Sequence, residues 1–365
     1  MPSPQPTDDE TRNADSAVGR GLKIGAGVTA IAAGAILLWY TAQVLLVFFA
    51  AAFLSVFFSG LAKLEQKYSR LPYRAALFFV LIDLFCVLGI GGLIMGPAIA
   101  SQSATLSMEL PKAYGQLYNQ VNSSSFGKPV IAAVQQAMNN SKDSNFQNAL
   151  KFAGVTMHGF GGLIFAVVIA IFFASDPELY RQGLLNLFAP SRRPRMREVL
   201  DELGFTLWWW LMAQLATMAS VGILIGVGLT LLGVPLSGTL GLIAALLSFI
   251  PSLGPFISVI PAVMLGLTIS PIMGLYVCLL YLGVQTLEAN VITPLIQQRA
   301  ISLPPAFVLS SELLMGLLLG GAGLAFATPL AAVVLVLINM LYIQDVLHDK
   351  GSLPSNPKTR AKRQA

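Results

Sequence analysis

The sequence predicts an all-α membrane protein with six transmembrane helices plus two re-entrant helical hairpins; eight transmembrane helices are the alternative. Three observations carry that expectation. The 365 residues are 55% hydrophobic and 11% charged, at mean hydropathy +0.73, which excludes both a soluble globular chain and a disordered one. The apolar residues fall in long unbroken runs, whereas a membrane β-barrel needs short alternating strands. Two of these runs, 236–268 and 305–343, are 33 and 39 residues long, against the roughly 20 that one crossing needs.

Both long runs break near the middle. Pro251-Ser252-Leu253-Gly254-Pro255 interrupts the first and Gly320-Gly321-Ala322-Gly323 the second. Broken backbone at membrane depth survives only where it is buried in protein or lines a watery cavity. A run too long for one crossing and broken halfway therefore reads as a hairpin whose tip stops inside the bilayer. The two breaks also share a spacing: Pro235 precedes Gly254 by 19 residues, Pro304 precedes Gly323 by 19, and Pro261 and Pro329 come after them. Paired broken segments of this kind point to a solute site.

Taken in order, residues 1–23 read as a cytoplasmic tail and 24–98 as three spans. Trp39 to Gln43 mark an interfacial turn between the first two, which run to Ala62, and Ala75 begins the third. Segment 99–156 is polar, with apolar positions at three- and four-residue steps from Leu106 to Val121, and reads as an external amphipathic helical segment on the membrane lipid. Region 157–232 holds two spans, at 157–174 and 205–232, around a basic cytoplasmic segment, 175–204. Trp208-Trp209-Trp210 open the second of these and read first as an interfacial anchor. The two hairpins flank a sixth full span, 271–289, within region 233–345, and 346–365 is a basic cytoplasmic tail. Cys86 and Cys278 fall inside apolar runs as small buried hydrophobes.

Charge sets the orientation. With both termini cytoplasmic, 18 of the 22 Lys and Arg lie inside, and Lys112, Lys128, Lys142 and Lys151 in 99–156 are the four outside. Basic residues that flank spans answer to topology and anionic lipid, not nucleic acid. Only Arg299 changes sides in the eight-helix alternative, so length and breaks decide between the two.

Few side chains are equipped for chemistry. Ser252, Ser258 and Thr328 are the hydroxyls near the breaks, where a helix starting after each break offers backbone N–H groups to a polar solute. Gln285, Glu288, Asn290 and Thr293 cluster at the end of the sixth span, before Pro294, which is read as the helix end. Glu288, Glu312 and Asp83 are acids within apolar segments. Such groups are expensive there and are ion-coupling candidates, for protons or sodium. Gln214 reads as a hydrogen-bonding link between helices, and His158 as interfacial. No phosphate loop, zinc-binding histidine helix or intramembrane Ser-Lys pair is present. An enzyme is not expected, and no cofactor is implied.

These motifs together resemble the autoinducer-2 exporter family of bacterial membrane proteins. The likeness rests on residues 249–255 with Ile260-Pro261-Ala262, on Gln285 to Pro294, on Gly320 to Gly323 running into Thr328-Pro329-Leu330, and on Leu232-Gly233-Val234-Pro235 and Asp176. It implies a transporter of the bacterial inner membrane whose subunits form a ring, a pentamer, moving solute by an elevator-like motion of the hairpins. Autoinducer-2 export, and hence quorum sensing, is one activity the family implies; sodium/proton antiport is another. Two positions depart from the family pattern: Ala300 to Pro305 lacks its glycine and His-Pro pair, and Glu312 stands where an apolar residue is expected. The candidate substrate-binding set is Pro251, Ser252, Gly254, Pro255, Gln285, Glu288, Asn290, Pro294, Gly321, Gly323 and Thr328. The functional expectation is secondary export of a small polar solute such as autoinducer-2. Cation/proton antiport is the first alternative and a non-transporting membrane scaffold the second.

Overall fold

The computed structural model describes residues 41–87, 157–296 and 303–349, with single residues at 34, 89, 90, 93, 97 and 101. Apart from residues 34, 93, 97, 101 and 346–349, the expected first span, the end of the third, segment 99–156, Arg299 and both tails lie outside the described residues. The chain divides into two units, Met1–Phe49 and Ala50–Ala365, and the helical core belongs to the second. Every described element is helical.

Helix α1, Thr41–Ser69, runs past the expected end at Ala62, because Lys63, Glu65, Gln66 and Lys67 are good helix formers. It stops where Arg70 takes a left-handed φ of 58° ahead of Pro72. Helix α2, 73–87, is tied at its start to the end of α3, Met157–Ser175, by Tyr73, whose hydroxyl donates to the Ala174 carbonyl (2.7 Å). The Tyr73 ring is half-buried, and that burial pushes its phenol above the usual value. The chain then bends by 90° into α4, Pro177–Asn186. Asp176 caps α4 by accepting from the Leu179 N–H, Pro177 takes the first helical position, and Glu178 sits in the first turn.

After a short turn, Pro190–Arg192, helix α5 covers Arg193–Leu231, 39 residues or about 58 Å. The sequence starts this span at Phe205, yet the helix begins twelve residues earlier. Its charged first turns are held by ion pairs to α4, Arg181 to Asp201 (2.6 Å) and Arg197 to Glu178 (3.2 Å). The tryptophan triplet consequently lies well inside α5. Trp210 is buried and the Trp208 indole packs on Gly60 of α1, so these two are held by packing within the protein.

Beyond α5 come α6, Ser237–Leu247, and α7, Gly254–Ile269. Each is shorter than the 20 residues a span needs. Helix α8, Pro271–Leu287, begins on Ser270, which caps it by accepting from the Met273 N–H (3.1 Å). It does not end at Asn290 but widens into a π turn, Glu288–Ile292, and continues through Thr293–Ile296. Pro294 has no N–H for the Asn290 carbonyl, and a local change of helical pitch absorbs that loss. Helix α9, Pro305–Leu337, is interrupted at Gly320 and closes in a second π turn, Ile338–Gln344.

Four described helical stretches are long and apolar enough to cross a membrane: Thr41–Ser69, Pro190–Leu231, Pro271–Leu295 and Pro305–Gln344. The bent pair 161–175 and 177–186 makes a fifth if taken as one. The last stretch would be about 60 Å long as a straight rod, but it folds back on itself. Cys86 is exposed, against the expectation of a buried residue, and Cys278 is half-buried; both are free.

Candidate functional site

Two helical hairpins form the centre of the molecule. In hairpin 1, α6 and α7 are joined by the turn 248–253, and a Cβ placed on Gly254 would fall on the Leu247 carbonyl. The two arms share a core in which Leu240 and Ala244 meet Ala262 and Leu265, with Val221 and Ile225 of α5 and Val277 and Tyr281 of α8 around them. Hairpin 2 is α9. There Gly320 takes φ 65°, ψ −148°, a conformation open essentially to glycine alone. Three contacts show the reversal. A Cβ on Gly323 would strike the Met315 carbonyl, one on Gly316 would lie 3.3 Å from Leu324, and the Thr328 hydroxyl bonds to Glu312 Oε1 at 3.4 Å. Residues 312 and 328 would be about 24 Å apart along a straight helix.

The hairpins enter from opposite ends. Arg195, near the start of α5, donates to the Met340 carbonyl (3.0 Å) and Gln344 Oε1 (3.0 Å) and pairs with Asp345 (2.8 Å) at the base of hairpin 2. Burial works against the charge of Arg195, but its bonds to Asp345 and Glu198 more than offset this and raise its pKa. The far end of α5 leads into the base of hairpin 1, where the Val234 N–H donates to the Leu229 carbonyl. Midway along α5, Gln214 Nε2 donates to the Ser248 carbonyl (2.6 Å), so α5 caps the helix that ends at the tip of hairpin 1. Trp210 lies one turn away, 6.1 Å from Phe249 of that tip and 5.8 Å from Phe53 of α1; Phe53 in turn meets Phe326 of hairpin 2 at 6.0 Å. One aromatic cluster thus joins both hairpins to α1 and α5.

Several sequence candidates converge here. Glu312 is only 2% exposed, with Thr328 on one side and Ser252, by hydroxyl and backbone N–H, on another. Its Oε2 is buried without a hydrogen-bond partner. Pro251 and Ser252 lie in the turn, while Gly254 and Pro255 already open α7. The Gly254 N–H donates to the Ile250 carbonyl and the Ser258 hydroxyl to the Pro255 carbonyl, so the local backbone and side chain are satisfied. Gly321 and Gly323 are helical; the break is at Gly320.

Gln285 and Glu288 form a second pair, with Gln285 Nε2 donating to Glu288 Oε2 (2.9 Å). Helices α7 and α8 run antiparallel: Gly266 faces Gly274, and the Tyr281 hydroxyl donates to the Ser258 carbonyl (3.1 Å). Continuing that register sets Gly254 level with Thr286, so the pair stands at the height of the hairpin 1 tip. Asn290 is exposed and turned back on its helix, donating to the Thr286 carbonyl, and Pro294 is also exposed. Asp83 sits on an exposed face of α2, apart from these groups.

Sequence reading names Ser252, Glu312 and Thr328 separately and misses that they meet. The signal is present, since Glu312 lies eight residues before Gly320 and Thr328 eight after it. A fold placed at that glycine pairs them.

These features define a multi-pass helical membrane protein with two helical hairpins that start from opposite ends of α5. The chain belongs to the AI-2E transporter family, whose family model matches residues 28–343. Among curated relatives, the "Putative transport protein YrrI" of Bacillus subtilis is 30% identical over 47% of this chain and 48% of its own length. YueF of the same organism, carrying the same description, is 25% identical over 52% of each chain. YhhT of Escherichia coli K12, likewise so described, is 30% identical over 31% of this chain and 32% of its own. The chain matches about half the length of the first two.

Proposed function

We propose that this protein is a secondary transporter that exports a small polar solute, such as autoinducer-2, through the seam where the hairpins meet. The observation that carries the reading is the meeting of Ser252, Glu312 and Thr328. Three polar side chains from three chain segments share a site enclosed by apolar helices. Arms of about 16 to 25 Å are too short to cross a hydrocarbon core of about 30 Å, which supports tips that stop inside the bilayer. Ser252, Glu312 and Thr328 then line the passage, with Gln285 and Glu288 at the same level. The cytoplasmic membrane, with both termini inside, is the setting that the basic residues favour.

The test uses proteoliposomes loaded with autoinducer-2. Wild-type release faster than from empty liposomes, abolished by Ser252→Trp and reduced by Glu288→Ala, supports the reading. Release by Ser252→Trp at the wild-type rate overturns the site, and no wild-type release overturns the solute.

Cation/proton antiport is a second reading, favoured by two carboxyls, Glu288 and Glu312, near one hairpin tip. It predicts pH-dependent sodium exchange in everted vesicles, and absence of exchange above empty vesicles removes it.

A further inference from the structure

We propose that Glu312 is a proton-carrying latch between the hairpins. With its proton on, the carboxyl lies dry against Ser252 and Thr328 and holds the seam shut; when the proton passes to water, the seam opens. The inference deepens the transport reading and rests on it for its use, while the latch itself is a property of the fold.

The surroundings of the carboxyl decide which form it takes. Among the described residues the groups that face it are Ser252, from the turn of hairpin 1, and Thr328, from the other arm of hairpin 2. Neither is charged, and no described Lys, Arg or His acts on it. An ionised carboxylate buried without a cation is strongly disfavoured, and Oε2 is buried with no partner. A proton on Oε2 removes the charge, and its O–H can donate to the Ser252 hydroxyl. The Thr328 hydroxyl still bonds to Oε1.

The same geometry couples the proton to movement. Glu312 and Thr328 belong to hairpin 2, and Ser252 to the tip of hairpin 1, so water reaches the carboxyl when the two part. In the step, the carboxyl O–H bond breaks, its electron pair stays on the carboxylate and water takes the proton. Below the ordinary glutamate range both arrangements keep the proton, and closure does not depend on pH. Above it the wetted carboxyl ionises first. Closure then weakens by up to about tenfold per pH unit, the limit for one proton, until the closed form ionises too.

Two measurements on the purified full-length protein in lipid nanodiscs test this. Amide hydrogen exchange, corrected for its intrinsic pH dependence, should show peptides covering 248–256 and 310–330 losing protection as pH rises. Glu312→Gln, which keeps the shape and cannot ionise, should stay protected throughout. Infrared difference spectra between low and high pH should show a protonated-carboxyl band in wild type that Glu312→Gln lacks. Ser252→Ala serves if Glu312→Gln does not fold: it keeps the acid, and loss of the hydroxyl should move the opening midpoint to lower pH. Protection independent of pH, the same pH dependence in Glu312→Gln, or protection set by sodium at constant pH overturns the latch. None of these measurements involves solute flux, so the latch can fail while autoinducer-2 release persists, and the reverse.

Discussion

Hairpin 1 and hairpin 2 both turn a helix back within the molecule, but with different backbones. The first uses six residues, 248–253, for its turn, and the residue before α7, Leu253, has φ −100°, ψ −29°, which any residue adopts. The second reverses at Gly320, with φ 65°, ψ −148°. They also differ in what holds them. Hairpin 1 is fixed from outside, by Gln214 to its tip and by Tyr281 to the Ser258 carbonyl. Hairpin 2 is joined across its own arms, through Glu312 with Thr328 and Gly316 with Leu324, and at its base to Arg195, while Phe326 and Val333 pack on the Phe53, Leu207, Trp210 and Leu211 cluster of α1 and α5. The contrast is in where the hydrogen bonds run: from the neighbouring helices to hairpin 1, and across its own arms and at its base in hairpin 2.

The largest expected effects test whether each chain reversal is as tight as it looks. Gly254→Val and Gly323→Val both drive a side chain into a backbone carbonyl, of Leu247 and Met315 respectively. Neither carbonyl can move without breaking its helix, so each change should cost about 3 kcal/mol or more. The readouts are the yield of monodisperse protein and its apparent melting temperature. A Gly323→Val protein that melts with wild type would show that α9 does not fold back there.

Gly320→Ala separates the two backbones. Nothing lies within 4 Å of the Cβ it adds, so its effect is one of dihedral strain alone, about 1–3 kcal/mol. Leu253→Ala, at the matching place in hairpin 1, removes an exposed side chain from an ordinary conformation and should be nearly neutral. Equal shifts in melting temperature for the two would erase the difference between the hairpin backbones.

How far these hairpins could be read from sequence depends on the same residues. Run length and a central cluster of Pro and Gly were enough to place both breaks within a few residues, because the span of a helix is fixed by its rise. The exact pivot was not legible. Gly320, Gly321 and Gly323 are equivalent as letters, and the pivot at the first goes with the register in which Gly316 meets Leu324 and Glu312 meets Thr328. The polar site was half legible: Ser252, Glu312 and Thr328 each drew notice as polar groups in apolar surroundings, while their meeting depends on the register of two reversals. The start of α5 was not legible either. Hydropathy starts the span at Phe205, but the ion pairs of Arg181 and Arg197 hold a helix that begins at Arg193.

Gln214→Leu asks whether the external fastening of hairpin 1 matters. The substitution leaves the Ser248 carbonyl buried and without its donor, which should cost about 1–3 kcal/mol. Hydrogen exchange should rise in peptides covering 248–253 and stay unchanged around Gly320. Faster exchange at both tips would mean that the Gln214 bond holds the two hairpins together and not the first alone.

The smallest effect belongs to the base of hairpin 2. Arg195 reaches Glu198, Asp345, Gln344 Oε1 and the Met340 carbonyl with one planar fork, and a lysine would keep the charge but not that geometry. The Arg195 side chain is 25% exposed and that of Asp345 38%, so solvent screens the pair, and Arg195→Lys should cost no more than about 1 kcal/mol. Its value lies in where the loss appears. Exchange should rise in 338–346 in proportion to added salt in wild type, and should lose most of that salt dependence in Arg195→Lys, with hairpin 1 unaffected in both. A uniform destabilisation would show instead that the base and the packing of Phe326 and Val333 on α5 give way together.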